Sequence, residues 1–357
     1  MIKKLVKIIL LIGLFCLVFY GIYNDIRKIK DNIYVDKDGV SYNGWLQVKG
    51  NKLLNEKGNE FSLRGVSTHG IQWYGTLYNQ DNIAQLKYTW GINVLRVAMY
   101  TDPEEEGYIK DKSLEYTVDR LVDYAIEQDL YVIIDWHILK DNDPNEYKDE
   151  SIEFFKKMAI KYSEIPNVIF EICNEPNGDV TWNDIKTYAD DVIREIRKEA
   201  PDNLIIVGTP NYSKKIYHVI NDPIDDDNVI YALHFYAGSA TNYSTQSDVD
   251  LVLEKDLPIF VSECGITDET GNGKIYEEEF KEWIKFLNER EISWIVWSFS
   301  NKDESTALLK EKYNPKQSFM TLNKYGMMQL ELPNDFNDYL SKSGKIIKKI
   351  FLEESSN

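Results

Sequence analysis

The sequence predicts one large (β/α)8 barrel, a TIM barrel of the α/β class, and three observations predict it. Eight short, β-branched apolar runs recur a few tens of residues apart. Amphipathic stretches of helical pattern fall between them, the mark of a parallel sheet covered on both faces. The segment that holds them, residues 44–353, has the length of a single α/β barrel, and eight repeats favour closure over an open doubly wound sheet. No Gly-x-Gly-x-x-Gly turn follows any run, which argues against a dinucleotide cofactor.

Residues 1–23 read as a signal peptide or a signal anchor. Lys3, Lys4 and Lys7 precede an apolar run from Ile8 to Tyr23. A positive flank and a short apolar core fit a secretory signal. No small-x-small cleavage site follows, and counted from Leu5 the segment is just long enough to span a bilayer. Both readings put the chain outside the cell, secreted or anchored on the outer side of the cytoplasmic membrane. Residues 24–43, polar and without periodicity, are expected to be a tether. Leu46-Gln47-Val48 and Phe61-Ser62-Leu63 flank Asn55-Glu56-Lys57-Gly58-Asn59, which suggests a small N-terminal β-hairpin before the barrel. Barrel strands are then expected at Leu63–Ser67, Asn93–Ala98, Tyr131–Asp135, Val168–Ile172, Leu204–Val207, Val229–His234, Ile259–Ser262 and Trp294–Trp297. Helices are expected at Ser113–Gln128, Ser151–Tyr162, Thr181–Ala200 and Tyr276–Glu289, with a closing helix over Ser341–Leu352. A single domain and a monomer are expected.

Composition bounds the function. Apolar residues make up 43% and aromatics 13%, enough for a sizeable core and too much for disorder. Fifty-nine acidic against 41 basic residues give a net charge of −18, which argues against a nucleic-acid partner. Three cysteines are too few for a disulfide framework. Cys16 lies in the leader, and Cys173 and Cys264 are expected as free thiols. Trp90, Trp182, Trp283, Trp294 and His218 are expected to be structural.

Function in such a barrel sits at the carboxyl ends of the strands. Arg96, Asp135-Trp136-His137, Asn174-Glu175, His234-Phe235-Tyr236, Glu263 and Trp297 all fall at or just beyond those ends. Glu175 follows the fourth strand and Glu263 the seventh, across the barrel mouth. Two carboxylates flanking one bond are what glycoside hydrolysis needs: one donates a proton and the other attacks or activates water. A metal hydrolase finds no His-x-x-x-His or Cys-x-x-Cys spacing in support, so neither metal nor cofactor is expected.

Several segments carry a more specific resemblance. Arg64-Gly65-Val66-Ser67-Thr68-His69-Gly70-Ile71-Gln72-Trp73-Tyr74, Val132-Ile133-Ile134-Asp135-Trp136-His137, Ile169-Phe170-Glu171-Ile172-Cys173-Asn174-Glu175-Pro176-Asn177 and Tyr231-Ala232-Leu233-His234-Phe235-Tyr236-Ala237-Gly238 resemble, in order, glycoside hydrolase family 5, the cellulase family A, in its bacterial endoglucanase subfamily 2. The resemblance runs from about Gly44 to Leu352. It implies a retaining endo-β-1,4-glucanase acting on cellulose or a related β-glucan, with Glu175 as acid/base and Glu263 as nucleophile. It further implies that Arg96 and Tyr236 hold Glu263, that Asn174 bonds the sugar 2-hydroxyl, and that His137 and His234 line the cleaved subsite. Trp297 would floor the −1 sugar. His69, Trp73 and Tyr100 would extend the cleft, and Lys302 and Glu304 would serve a distal subsite. The family shows Glu-Trp-Gly where this chain has Glu263-Cys264-Gly265, and strand alternation points Cys264 away from the catalytic face. Three rivals stand beside this reading: another β-glycan as substrate (mannan, lichenan or xyloglucan), a surface glucan-binding protein, and a structural wall protein.

Overall fold

The computed structural model describes residues 36–239, 242–316, 319–322, 328–331 and 334–354. The chain divides between Lys37 and Asp38, and the unit from Asp38 onward is the one described below. The expected signal or anchor and most of the tether lie outside the described residues. Among those described, no helix is long and apolar enough to cross a membrane.

The N-terminal hairpin forms between β1 (Gln47–Lys49) and β2 (Lys52–Leu54). Its second strand therefore comes earlier than the sequence suggested. Gly50 turns the chain at a φ of +60°, where a side chain would be strained and its Cβ would meet Asp256. Residues 55–59 make a second turn, after which Phe61 N–H donates to the Leu53 carbonyl. Val40–Asn43, at the end of the expected tether, form a helical turn with Val40 and Asn43 buried.

Eight parallel strands follow: β3 (Arg64–Thr68), β4 (Val94–Tyr100), β5 (Tyr131–His137), β6 (Val168–Glu171), β7 (Ile205–Val207), β8 (Val229–Tyr236), β9 (Ile259–Gly265) and β10 (Trp294–Phe299). They close into a barrel in chain order, β10 pairing with β3. A further antiparallel pair, β11 (Phe319–Leu322) with β12 (Met328–Glu331), lies outside it. The helices between strands start and stop on local chemistry. Thr181 and Asp184 form a reciprocal capping box before Trp182–Glu199, and Asn79 caps Gln80–Trp90, which Gly91 ends at a φ of +77°. The helix expected over Ser341–Leu352 forms at Lys342–Glu354.

Outward strand residues such as Val97, Ile134, Phe170 and Phe235 pack against the helices in the main core. The inward residues change character along the barrel axis. At the floor, Leu63, Val94, Ile133, Ile169, Ile230, Phe260 and Ile295 pack with Val40, Leu46 and Leu53 beneath them. One layer up stand Arg96, Asp135, Glu171 and His234, all fully buried. At the carboxyl end Tyr100, Tyr236 and Trp297 cluster around the opening.

One irregularity positions the site. Ala232 of β8 faces Phe260 of β9, yet His234, two residues on, faces Glu263, three residues on. The same surplus residue shows against β10, where Trp294 faces Val261 and Val296 faces Cys264. This bulge re-aims the strand. Ser262 and Glu263 both join the interior, and Cys264 turns into the outer core, where its Sγ donates to the Ile295 carbonyl at 3.2 Å. Cys173 and Cys264 are free and buried.

Candidate active site

Strand alternation explains which groups meet. Arg96, Asp135 and Glu171 come from three neighbouring strands, with Asp135 directly paired to Glu171. The Arg96 guanidinium is shared among them: Nε donates to Glu171 Oε2 at 2.6 Å, Nη2 lies 3.0 Å from Asp135 Oδ2, and Nη1 donates to Glu263 Oε2 at 3.1 Å. Nη2 also donates to Asn174 Oδ1 at 2.6 Å. Burial opposes the Arg96 charge, but the three carboxylates outweigh it and raise its pKa above the ordinary value. Arginine suits this layer because its planar fork donates to several acceptors at once.

Glu263 holds a second bond, from the Tyr236 hydroxyl to Oε1 at 2.8 Å. Gly265 makes room for that ring, since a Cβ there would lie 2.2 Å from Tyr236. Burial, then the charge of Glu263, pushes the Tyr236 pKa well up, so it stays a donor. Across the mouth, Glu175 Oε1 lies 2.9 Å from His234 Nδ1, and His234 Nε2 lies 2.9 Å from Ser262 Oγ. Burial alone would lower the His234 pKa. Glu171 at 3.9 Å, the hydrogen bond with Glu175 and the charge of Glu263 reverse that and raise it to about 9. A carboxylate oxygen of Glu175, one of Glu263 and a His234 ring nitrogen all lie within 4.8 Å of one another.

These groups border a cleft of about 550 Å³. His137 lines it and lies 2.6 Å from Asp135 through Nδ1; burial, then Arg96, holds its pKa near 3, so the ring is neutral. Its ring stacks 5.3 Å from Trp297, which also packs 4.9 Å from His69. Lys302 Nζ lies 2.7 Å from Glu304 and 3.3 Å from His69 Nε2. Burial, then Lys302, lowers the His69 pKa well below its usual range.

The structure therefore gathers Glu175, Glu263, His137, His234, Tyr236, His69, Tyr100, Trp297, Lys302 and Glu304 around one cleft or directly beneath it. Trp73 stands at the outer edge, 38% exposed and 4.9 Å from Tyr100. Arg96 and Asn174 sit behind the surface. Asn174 is fully buried, with its amide donating to the Ile138 carbonyl at 3.0 Å. Sequence reasoning missed Glu171, although a charge flanked by Phe170 and Ile172 inside an apolar strand was a signal. It also missed the rim supplied by Asn211, Tyr212, Lys214 and Glu269–Gly271, which loop paths alone bring to the cleft.

Comparison with known proteins bears on the family to which this fold belongs. The cellulase model of glycosyl hydrolase family 5 matches residues 54–303. Endoglucanase N of Pectobacterium atrosepticum is 46% identical over 271 residues, 76% of this chain and 60% of that protein. A Thermoanaerobacterium cellulase is 40% identical over 73% of this chain and 72% of its own length. The chain spans little more than half the length of several curated relatives it matches. The catalytic domain of a Thermobifida fusca endoglucanase superposes with a TM-score of 0.77 at 32% identity, covering 88% of this chain and 99% of that one. A variant of that endoglucanase has been solved in complex with cellotetraose.

Proposed function

The chain belongs to glycosyl hydrolase family 5, the cellulase family, and from that premise we propose that it is a retaining endo-β-1,4-glucanase working by double displacement. The observation that carries the reading is the approach of Glu175 and Glu263, with carboxylate oxygens within 4.8 Å. Retaining glycosidases hold their carboxyl groups about 5–5.5 Å apart, whereas inverting ones leave about 6.5–9.5 Å for a water.

In this mechanism Glu263 is the nucleophile. Arg96 at 3.1 Å and Tyr236 at 2.8 Å hold one oxygen each, which fixes the direction in which the carboxylate points. Glu263 attacks the anomeric carbon while Glu175 gives its proton to the leaving oxygen, and a glycosyl-enzyme forms. Glu175 then takes a proton from water, which releases the sugar with net retention. Trp297 offers a flat face to the sugar in the cleaved subsite, beside the neutral His137, whose ring nitrogens meet Asp135 at 2.6 Å and the Asn174 amide at 3.3 Å. Lys302, Glu304 and His69 would bond hydroxyls farther along. The buried Asn174 acts by fixing Arg96 through its Oδ1 and the Ile138 carbonyl through its amide. The amino-terminal segment is proposed to deliver the enzyme outside the cytoplasmic membrane, where polysaccharide is met; cell fractionation checks this.

The test is viscosity loss and reducing-sugar release on carboxymethyl cellulose, with glucomannan, lichenan and xyloglucan in parallel, for the wild type and Glu263→Ala. Rapid viscosity loss on the cellulose derivative, falling at least about ten-thousandfold in the variant, is expected. Activity confined to another glycan would replace the substrate. Binding without hydrolysis of any would promote a glucan-binding protein.

A further inference from the structure

Beneath the proposed catalytic carboxylates sits a third, Glu171, which the mechanism above does not use. It stands on β6 between Phe170 and Ile172 and is fully buried. Its Oε2 accepts from Arg96 Nε at 2.6 Å. Its Oε1 has no hydrogen-bond partner and lies 3.9 Å from His234 Nε2. A buried carboxylate oxygen left unpaired is costly, and each such group calls for an explanation.

The explanation lies in what Glu171 touches. Arg96 reaches Glu263 at 3.1 Å, and His234 reaches Glu175 at 2.9 Å. We propose that Glu171 is a positioning residue shared by both catalytic carboxylates: it clamps Arg96 against Glu263 and holds His234 between itself and Glu175. The inference rests on the glucanase reading for its catalytic meaning.

The electrostatics follow the same geometry. Burial would neutralise Glu171, yet Arg96 and His234 outweigh it and hold its pKa at about 2. Burial would strip His234 of its proton, yet Glu171 and Glu175, with Glu263, outweigh that too. The charged and titratable groups around His234 are Glu171 and Glu175, Glu263 from β9, and Asp135 and His137 from β5, with Arg96 beyond Glu171. Asp135 does not duplicate the role. Its Oδ2 is engaged by His137 and Arg96, and burial ahead of those contacts keeps its carboxyl well above the usual range.

Glu171→Gln in the full chain, the same shape without the charge, tests the assignment. On carboxymethyl cellulose kcat falls at least about tenfold with KM changed less than about twofold. By imidazole NMR, the His234 midpoint drops by about one pH unit or more, while exposed His218 stays where it was. Wild-type kcat in the variant, or a lost kcat with an unmoved His234 midpoint, would overturn the proposal. Should the variant fail to fold, the wild-type titration decides: a His234 midpoint near 9 supports it, and one at or below 6.5 removes it. That titration uses no substrate, so it separates failure of this inference from failure of the glucanase reading.

Discussion

Replacing His234 with Asn changes how the fold responds to alkali, and the size of the change follows from its surroundings. The ring is fully buried, and its pKa stands at about 9 against an ordinary 6.5, because the carboxylates of Glu171, Glu175 and Glu263 outweigh the effect of burial. A base that binds its proton more tightly when folded stabilises the fold fully below its unfolded pKa. That stabilisation fades as pH climbs through the folded value. A rise from 6.5 to about 9, at about 1.4 kcal/mol for each tenfold change in proton affinity, corresponds to about 3 kcal/mol. Urea unfolding followed by tryptophan fluorescence, across pH values from about 6 to about 10, reads it directly. Wild type should lose about 3 kcal/mol over that range. The Asn variant starts lower, with Glu171 and Glu175 uncompensated, but should lose less than about 1 kcal/mol more. Parallel slopes for the two proteins would refute the reasoning.

Acid should destabilise the fold by two other groups. His137, whose pKa burial and then Arg96 bring down to about 3, contributes stability that is complete above 6.5 and lost as pH falls toward 3. Glu171, held near 2, contributes stability that is complete above 4.5 and lost as pH falls toward 2. With His234 acting from the other side, wild-type melting temperature should peak near pH 6.5, and a peak displaced by two pH units would contradict these assignments. Gly265→Ala should push the Tyr236 ring off Glu263, since the added carbon would lie 2.2 Å from it. Activity on carboxymethyl cellulose should drop on the order of a hundredfold, and an unaffected rate would mean that the Tyr236 contact is dispensable.

Much of this was legible because the barrel writes its pattern into each strand. Asp135-Trp136-His137 is an example: alternation sends Asp135 and His137 inward and Trp136 out to Tyr108 and Phe154, as burial and ring contacts confirm. The hairpin was misplaced because Gly50-Asn51 is a shorter turn signal than the polar run at 55–59, yet it makes the tighter connection. Glu171 escaped notice because its local signal, a charge between Phe170 and Ile172 in an apolar strand, does not say which buried layer it serves or which partners meet it there. The rim at Asn211–Lys214 was illegible for a different reason. Asn211, Tyr212 and Ser213 all take positive φ, and of the three only Asn211 is a residue type that favours it.

The extra residue in β9 makes the placement of the proposed nucleophile a matter of parity. On a regular strand, odd and even positions face opposite ways, so counting from Phe260 would send Ser262 and Cys264 inward and Glu263 out among the helices. The bulge resets the count between them. Substitution leaves that count untouched, so the strand tolerates exchanges of side chain such as the cysteine at 264. Straightening the strand with its residue count unchanged would exchange the Glu263 carboxylate for the Cys264 thiol at the centre of the site, whereas loss of a single codon between Phe260 and Glu263 would take out the surplus residue and keep Glu263 inward. The nucleophile's direction thus depends on residue number and strand geometry together, and a change in one is undone by a matching change in the other.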